Sequence, residues 1–330
     1  MKTRSGRLLA RRGLALCSVV MTALFLMLPG SGATAVAQQL TFAPGDVFVS
    51  TEQQGTVQWR SPDGTLIGVL VPTVAGSSEG MRFDAAGTLY VSHWCGDPTY
   101  ATGTLACATG NTVETFNRSG VSQGTFGSGY NCNPTSLAFD ATGNAYVGQA
   151  ACSGAVLKFP VGSQLPIAYF VAAERSGSFK VELAADGCTL FYTSWGPNVK
   201  RFDVCANAQL ADFNVTPMPG SEATALRLLP DGGVLVASGA VIARLDASGA
   251  LVQTYSLGAD EYQYWFGVDL VGDGTFWAIN SYSSTVATSL SNYLSGLLQK
   301  PNVYRFDLAT GAVVTKFYTG TAVKDVIVSR

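Results

Sequence analysis

A short β-strand motif recurs six times along this chain of 330 residues. In each copy a glycine turn leads into an apolar strand that ends near Ser, Gly or Asn, and another strand follows a variable loop. The copies read GDVFVS (45–50), AAGTLYVS (85–92), ATGNAYVG (141–148), ADGCTLFYTS (185–194), PDGGVLVAS (230–238) and GDGTFWAIN (272–280). Such self-similarity is typical of architectures in which small sheets bury their faces against neighbouring copies. Six four-stranded copies closed radially predict an all-β, six-bladed β-propeller.

The first copy lacks an innermost strand before it, and the chain ends on a segment that looks like one. Residues 326–328, within KDVIVSR, have the alternation of an innermost strand. Pairing them with the strand after Gly45 would complete the first blade and remove an open sheet edge. Residues 40–42 are the alternative candidate for that strand.

The first 37 residues are predicted to be an export signal. Five basic residues precede an apolar run over residues 14–28, and small residues at 35–37 suit cleavage after Ala37. The run is shorter than the ~20 residues that span a bilayer, so a membrane anchor is the less favoured alternative. Arg11 and Arg12 leave a twin-arginine signal open, with general secretion preferred. The predicted domains are a signal peptide at 1–37 and a propeller at 38–330, in a secreted or periplasmic protein.

The charge balance limits the partners that this protein can have. Loss of the predicted signal removes five positive charges and moves the formal net charge from −2 to −7. An acidic surface argues against nucleic acid as a partner. We expect a monomer without a membrane span in its mature part, whose partner is a small molecule, a glycan or a protein.

Six cysteines follow the predicted signal, an even number that suits three disulfides in an oxidising compartment. The repeats place the two cysteines of each pair at the same end of the same blade. None has the C-x-x-C spacing of zinc or redox sites. The predicted disulfides join Cys95 to Cys107, Cys132 to Cys152 and Cys188 to Cys205.

One face of such a ring should carry the ligand site. The loops that follow second strands and those that precede first strands share a face, and here these loops are rich in aromatic and polar side chains. The candidate ligand-binding residues are Glu79, His93, Trp94, Tyr100, Trp195, Tyr262, Trp265 and Asn280. The alternative for each aromatic residue is packing between blades. The opposite face carries short turns.

The sequence offers little support for a histidine-based zinc site or a serine hydrolase triad. His93 is the only histidine, which excludes a zinc site built from several histidines. No G-x-S-x-G segment accompanies it, so a serine hydrolase triad lacks support. Charged residues at one position of four innermost strands predict ion pairs between blades, namely Arg82, Glu182, Arg227 and Asp269.

The repeat pattern xLxFDxxGxLYVSxxxxxxVxRFDxxG resembles the six-bladed propellers of the NHL-repeat and SMP-30/gluconolactonase-like superfamily over nearly the whole mature chain. The resemblance implies the fold and leaves the function open, because such blades serve as scaffolds, binding modules and enzymes. Without a complete catalytic set, the first expectation is an NHL-like ligand-binding or protein-interaction module.

The second expectation is a metal-dependent lactone or ester hydrolase. Residues 78–83 read SEGMRF and resemble the E-G-P-x-W segment with which gluconolactonase-like enzymes hold a divalent cation. The resemblance implies that Glu79 holds a divalent cation, Ca²⁺ or Mg²⁺. In the mechanism expected here, Asn133 and Glu222 help to hold this cation, which polarises a carbonyl and activates water. Phe179 and Lys180 stand where that family has Asn-Gly, and a lysine would repel the cation. We therefore assign no catalytic residue.

Overall fold

The computed structural model describes residues 40–52, 55–95, 110–130, 133–150, 154–258, 263–281 and 302–330. These residues form twenty-four β-strands and no helix. The strands make six antiparallel sheets of four strands each, which confirms the all-β, six-bladed propeller. Each sheet is one blade.

The blades follow one another along the chain, except that the last strand returns to the first blade. Blade 1 contains β1 (Val47–Thr51), β2 (Val57–Arg60), β3 (Leu66–Leu70) and β24 (Val323–Val328). Blade 2 contains β4 (Ser78–Phe83), β5 (Leu89–His93), β6 (Thr112–Phe116) and β7 (Ser122–Phe126). Blade 3 contains β8 (Pro134–Phe139), β9 (Ala145–Gln149), β10 (Val156–Phe159) and β11 (Ile167–Tyr169).

The remaining three blades have the same order of strands. Blade 4 contains β12 (Val181–Leu183), β13 (Thr189–Tyr192), β14 (Lys200–Asp203) and β15 (Ala208–Leu210). Blade 5 contains β16 (Ala225–Leu228), β17 (Val234–Ser238), β18 (Val241–Leu245) and β19 (Leu251–Tyr255). Blade 6 contains β20 (Trp265–Leu270), β21 (Thr275–Asn280), β22 (Val303–Asp307) and β23 (Val313–Phe317).

Apolar side chains pack mainly between adjacent blades rather than within one. The second strands β1, β9 and β17 are buried at every position, whereas only the last residue of the outermost strand β3 is buried. A buried cluster between blades 5 and 6, for example, contains Leu235 and Tyr255 from one blade and Trp265 and Phe306 from the other. Each sheet therefore gains its core from its neighbours, as the repeat pattern predicts.

Strand β24 closes the ring. It pairs antiparallel with β1, where Val328 lies opposite Val47 and Val326 opposite Val49. This confirms the pairing predicted for residues 326–328. Residues 40–42 form no strand, and the Phe42 ring instead packs 4.7 Å from the Phe48 ring.

The predicted ion pairs between innermost strands are present. Arg82 lies 2.8 Å from Glu182, Glu182 lies 3.5 Å from Arg227, and Arg227 lies 2.7 Å from Asp269. Each distance joins a guanidinium nitrogen to a carboxylate oxygen. Buried charges of this kind are tolerated because each has a partner of opposite sign.

One of the three predicted disulfides is described in full. Cys188 and Cys205 are bonded and join the β12–β13 turn to the β14–β15 turn. Cys95 is also disulfide-bonded. Its predicted partner Cys107 lies outside the described residues, as does the predicted pair of Cys132 and Cys152, so these pairings stay predictions.

The disulfides fit the oxidising compartment that the sequence predicts. Residues 1–37 lie outside the described residues, so the export signal stays a prediction. Among the residues that the structure describes, no helix is long and apolar enough to cross a membrane.

Candidate functional site

The second and fourth strands of each blade end at the same face of the ring, which we call the loop-rich face. Side chains from four blades meet there near the central axis. We call this group the mouth cluster, and it consists of Glu79, Trp94, Phe179, Trp195, Tyr264, Phe266 and Lys324. The group includes three of the predicted ligand-binding residues, which are Glu79, Trp94 and Trp195.

Aromatic rings form the floor of the mouth cluster. The buried Phe179 ring meets Trp94 edge-on at 6.2 Å, Trp195 at 5.3 Å and Phe266 at 5.4 Å between ring centroids. Trp195 and Phe266 are themselves 6.0 Å apart and perpendicular. Edge-to-face contacts of this kind are favourable and fix ring orientation. The floor is thus a rigid apolar surface in the centre of the loop-rich face.

Lys324 places an ammonium group over this floor. Its Nζ lies 4.9 Å from the centre of the Phe266 ring and 5.9 Å from that of Trp94, in the range of cation–π attraction. The same nitrogen lies 3.1 Å from Glu52 Oε1 and 3.7 Å from Glu79 Oε1. Lys324 therefore links the aromatic floor to two carboxylates.

Lys324 was not among the residues predicted from the sequence, although strand register connects it with Glu79. The pairing of β24 with β1 is irregular at Lys324, and the pairing of β4 with β5 is irregular at Glu79. Corresponding irregularities fall at Thr135 in β8 and Phe266 in β20. One extra residue at the start of an innermost strand re-aims its side chain, as β-bulges do elsewhere. The mouth is therefore lined from equivalent positions of different blades.

The Glu79 carboxyl group is 1% exposed. Burial raises its pKa, against the attraction of the Lys324 and Lys180 ammonium groups, which lowers it. Oε1 accepts a hydrogen bond from Ser77 Oγ at 3.1 Å. Oε2 is buried and accepts no hydrogen bond from the residues that the structure describes. Glu79 Oε2 is thus a hydrogen-bond acceptor without a donor among these residues.

Two hydrogen-bond donors of the mouth cluster also lack acceptors among the described residues. The indole nitrogens Nε1 of Trp94 and Trp195 are buried and donate no hydrogen bond within the described part of the chain. Trp195 has φ +55°, a left-handed conformation that costs a bulky residue roughly 1–3 kcal/mol. Strain of this kind persists where the surrounding structure or a function requires it.

Lys180 fills the channel beneath the mouth. Its Nζ donates to the carbonyl oxygens of Glu79 at 3.1 Å and Thr135 at 3.3 Å, and it lies 3.4 Å from Asp325 Oδ2. Burial lowers the pKa of this amine, against the attraction of Asp325 and Glu79. The three ammonium protons thus have three acceptors on three blades. Lys180 acts as a crosslink through the centre of the ring.

Each of the residues proposed to hold Ca²⁺ or Mg²⁺ already has a partner in the protein. Glu222 lies 3.0 Å from Arg175 and accepts a hydrogen bond from the Tyr264 hydroxyl at 2.8 Å. The amide oxygen of Asn133 accepts a backbone N–H at 3.1 Å. Glu79 faces lysine ammonium groups on two sides. This arrangement does not fit a divalent cation, because positive side chains already neutralise the carboxylates.

Other predicted site residues lie elsewhere. Trp265 is 0% exposed in the core between blades 5 and 6, where no ligand can reach it. Asn280 accepts a hydrogen bond from the Tyr264 backbone at 2.8 Å and so helps to position that residue. Tyr100 and Tyr262 lie outside the described residues.

His93 is fully buried beside the mouth cluster rather than in it. Its Nδ1 lies 3.3 Å from Ser78 Oγ, and its Nε2 lies 3.7 Å from Glu114 Oε2. Burial lowers the pKa of the imidazole to about 4, against the attraction of the Glu114 carboxylate. A neutral imidazole at this depth belongs to the core of blade 2.

This burial predicts a pH-dependent loss of stability. The unfolded chain binds the proton with a pKa of about 6.5, above the folded value, so His93 favours the folded state fully above about pH 6.5. That contribution declines as the pH falls towards 4, by up to about 3 kcal/mol. Urea denaturation at pH 7 and pH 4.5 measures the loss. His93→Gln should show a smaller loss between the two pH values, and an equal loss in both proteins would contradict this role.

Comparisons with known proteins support the fold. No protein-family model matches the chain, and no curated protein matches it. A crystal structure of a protein of unknown function from Bacteroides caccae has a TM-score of 0.64 at 12% identity, over 86% of this chain and 98% of that chain. A chain in the crystal structure of a nidogen/laminin complex has a TM-score of 0.61 at 10% identity, over 85% of this chain and 97% of its own length. These likenesses show a shared six-bladed propeller fold and do not confirm the NHL-repeat or gluconolactonase-like resemblance.

Proposed function

We propose that this protein is an extracytoplasmic binding module, and that its ligand occupies the mouth cluster on the loop-rich face. One feature supports this role most directly. Two indole N–H groups and one carboxylate oxygen are buried around a rigid aromatic floor, without hydrogen-bond partners among the described residues. A ligand with complementary groups would satisfy all three.

The energetics favour an external partner. A buried polar group without a hydrogen bond costs about 1–3 kcal/mol, and native proteins contain few of them. Of the seven such side-chain atoms among the described residues, three belong to Glu79, Trp94 and Trp195 and lie in one place. The left-handed backbone of Trp195 adds strain at the same point. Costs that gather at one place in a fold are typical of binding sites.

The chemistry of the mouth favours a glycan among the candidate partners. The two indoles require hydrogen-bond acceptors, Glu79 Oε2 requires a donor, and the rings of Phe179 and Phe266 offer an apolar surface. A sugar hydroxyl both donates and accepts, and the C–H face of a sugar ring is apolar. The Lys324 ammonium adds positive charge next to the carboxylate.

Trp195→Phe tests this role, because phenylalanine keeps an aromatic ring and removes only the N–H group. We expect unchanged or slightly higher stability of the free protein, since no hydrogen bond is lost. Affinity for a glycan selected on an array should fall about fivefold to tenfold, the value of one hydrogen bond. Thermal melting and isothermal titration calorimetry measure the two effects.

Trp59→Phe is the matched control. The Trp59 indole donates to Asp46 Oδ2 at 2.6 Å in the interior of the propeller. Removing that N–H should lower stability and leave the glycan affinity unchanged. If no glycan on the array binds, or if Trp195→Phe binds as tightly as the natural protein, a glycan site at the mouth is wrong.

The hydrolase alternative makes a different prediction. A metal-dependent lactonase would hold Ca²⁺ or Mg²⁺ in stoichiometric amount, and Glu79→Gln would lose it. Lys180 and Lys324 lie where they would repel such a cation. Metal analysis of the natural protein and the variant, together with lactone hydrolysis with and without a chelator, distinguishes the two functions.

A further inference from the structure

The face opposite the mouth cluster, which we call the turn face, contains a cavity of about 340 Å³. The cavity lies where blades 1, 2 and 6 meet, beside the end of β24 and the turn between β4 and β5. Apolar side chains line part of it, and these include Phe42, Phe83 and Ile327. Three arginines, Arg82, Arg118 and Arg330, also line it, together with the carboxylate residues Asp84 and Asp269. The sequence indicates only short turns on this face.

Two of these arginines end a chain of ion pairs around the channel. The chain runs from Arg82 through Glu182, Arg227 and Asp269 to Arg330, whose guanidinium lies 3.4 Å from Asp269. It contains three positive and two negative side chains. Both positive ends face the cavity.

The carboxylates in the cavity wall already have internal partners. Asp84 Oδ1 accepts the backbone N–H groups of Ala86 at 2.9 Å and Thr88 at 2.8 Å. Asp269 is 2% exposed and accepts the backbone N–H of Val328 at 2.8 Å in addition to its arginines. Neither carboxylate pairs with Arg118.

Arg118 is positioned to pair with an anion in the cavity. Its side chain is exposed and has no ion pair or side-chain hydrogen bond within the described residues. It lies across Gly87, where a Cβ atom would come within 3.3 Å of the Arg118 side chain. Gly87 has φ +82°, a conformation that glycine adopts without strain. The turn thus leaves room for the guanidinium at the edge of the cavity.

The walls are held in place by the protein itself. The backbone N–H of Phe42 donates to the Arg118 carbonyl at 2.7 Å, and that of Gly45 donates to the Ser329 carbonyl at 2.9 Å. The Phe42 and Phe83 rings meet edge-on at 5.9 Å. A preformed cavity requires little ordering when a ligand binds.

We infer that this cavity binds a small organic anion, whose carboxylate or phosphate oxygens contact Arg118 and Arg82 and whose apolar part packs against Phe42 and Phe83. Guanidinium groups recognise both kinds of anion through paired, charge-assisted hydrogen bonds. The volume is near the lower limit of small-molecule sites, about 300–1,000 Å³, so the ligand is small. This site is separate from the mouth cluster and does not depend on the function proposed for it.

Calorimetric titration of the full protein with benzoate and with phenyl phosphate tests the inference. Both probes join an aromatic ring to an anion, and neutral benzamide is the matched control compound. We expect saturable one-to-one binding of at least one anion and none of benzamide. Arg118→Gln should weaken binding about tenfold or more, as expected for loss of a charged hydrogen-bond donor.

Arg175→Gln is the control variant, since Arg175 is an exposed arginine on the loop-rich face. It should leave the affinity unchanged, and both variants should melt at the temperature of the natural protein. Tighter binding of phenyl phosphate would assign a phosphate ligand, and tighter binding of benzoate a carboxylate. Failure of both anions to bind, binding of benzamide as tight as that of benzoate, or equal effects of the two variants would overturn the inference.

Discussion

Ending the chain at Ala322, before β24, is expected to abolish cooperative unfolding of the propeller. The strand buries Val323, Val326, Ile327 and Val328, and each such side chain contributes about 1.5–3 kcal/mol. Their sum is comparable to the whole stability of a typical domain, about 5–15 kcal/mol. Loss of Asp325 would also leave the buried Lys180 ammonium without its carboxylate. The open edge of β1 would favour aggregation.

Urea denaturation followed by near-ultraviolet circular dichroism measures this effect. A matched pair of single changes separates ring closure from the general cost of a new charge. Val326→Asp places a carboxylate at a fully buried position of β24, and Val314→Asp places one at an exposed position of β23. We expect severe destabilisation from the first and little from the second. A truncated protein that retained a sharp unfolding transition would contradict closure of the ring by β24.

Replacing Trp265 with alanine is expected to lower the free energy of unfolding by about 3–5 kcal/mol, as for other buried tryptophans. The Trp265 ring packs edge-on against Tyr304 at 5.6 Å and Phe306 at 5.5 Å. Its removal would leave a cavity between two blades. Affinity at the mouth cluster should not change in the protein that remains folded.

Trp195→Asn provides the comparison. Asparagine tolerates the left-handed φ of this position, so relief of strain offsets part of the lost packing and the stability should fall less than in Trp265→Ala. Glycan affinity should be lost. Urea denaturation and calorimetry of both variants measure these effects. Loss of affinity without loss of stability in Trp265→Ala would contradict its placement in the core.

Repeats and alternation were sufficient to predict the architecture. Glycine turns such as the one at Gly87 mark the same hairpin in every blade, and the apolar alternation of residues 326–328 identifies the closing strand. The pairing of Arg227 with Asp269 follows from their equivalent positions on neighbouring innermost strands. These features depend on local residue patterns and on their repetition along the chain, and both can be read from a single sequence.

The mouth cluster depends on features that a sequence pattern does not contain. Three of its seven residues, Glu79, Phe266 and Lys324, occupy bulges, where the two-residue alternation of a strand breaks. The residue type at this position changes from blade to blade. Trp195 and Trp265 both lie near strand ends on one face. Trp195, with its left-handed backbone, belongs to the mouth cluster, whereas Trp265 belongs to the core between two blades. The anion site inferred in the turn-face cavity depends on an arginine that has no ion pair. The sequence does not show which arginine this is, because ion pairs form between residues that are far apart in the chain.

The central claim is that the mouth cluster binds a ligand through its open indole donors. The chain has five tryptophans, so a ¹⁵N-labelled sample gives few indole signals, which single Trp→Phe variants assign. Titration with the glycan selected on the array should shift the indole N–H signals of Trp94 and Trp195. Those of Trp59, which donates to Asp46, and of the buried Trp265 should stay in place. Saturable binding that left the Trp94 and Trp195 signals unmoved would contradict the claim.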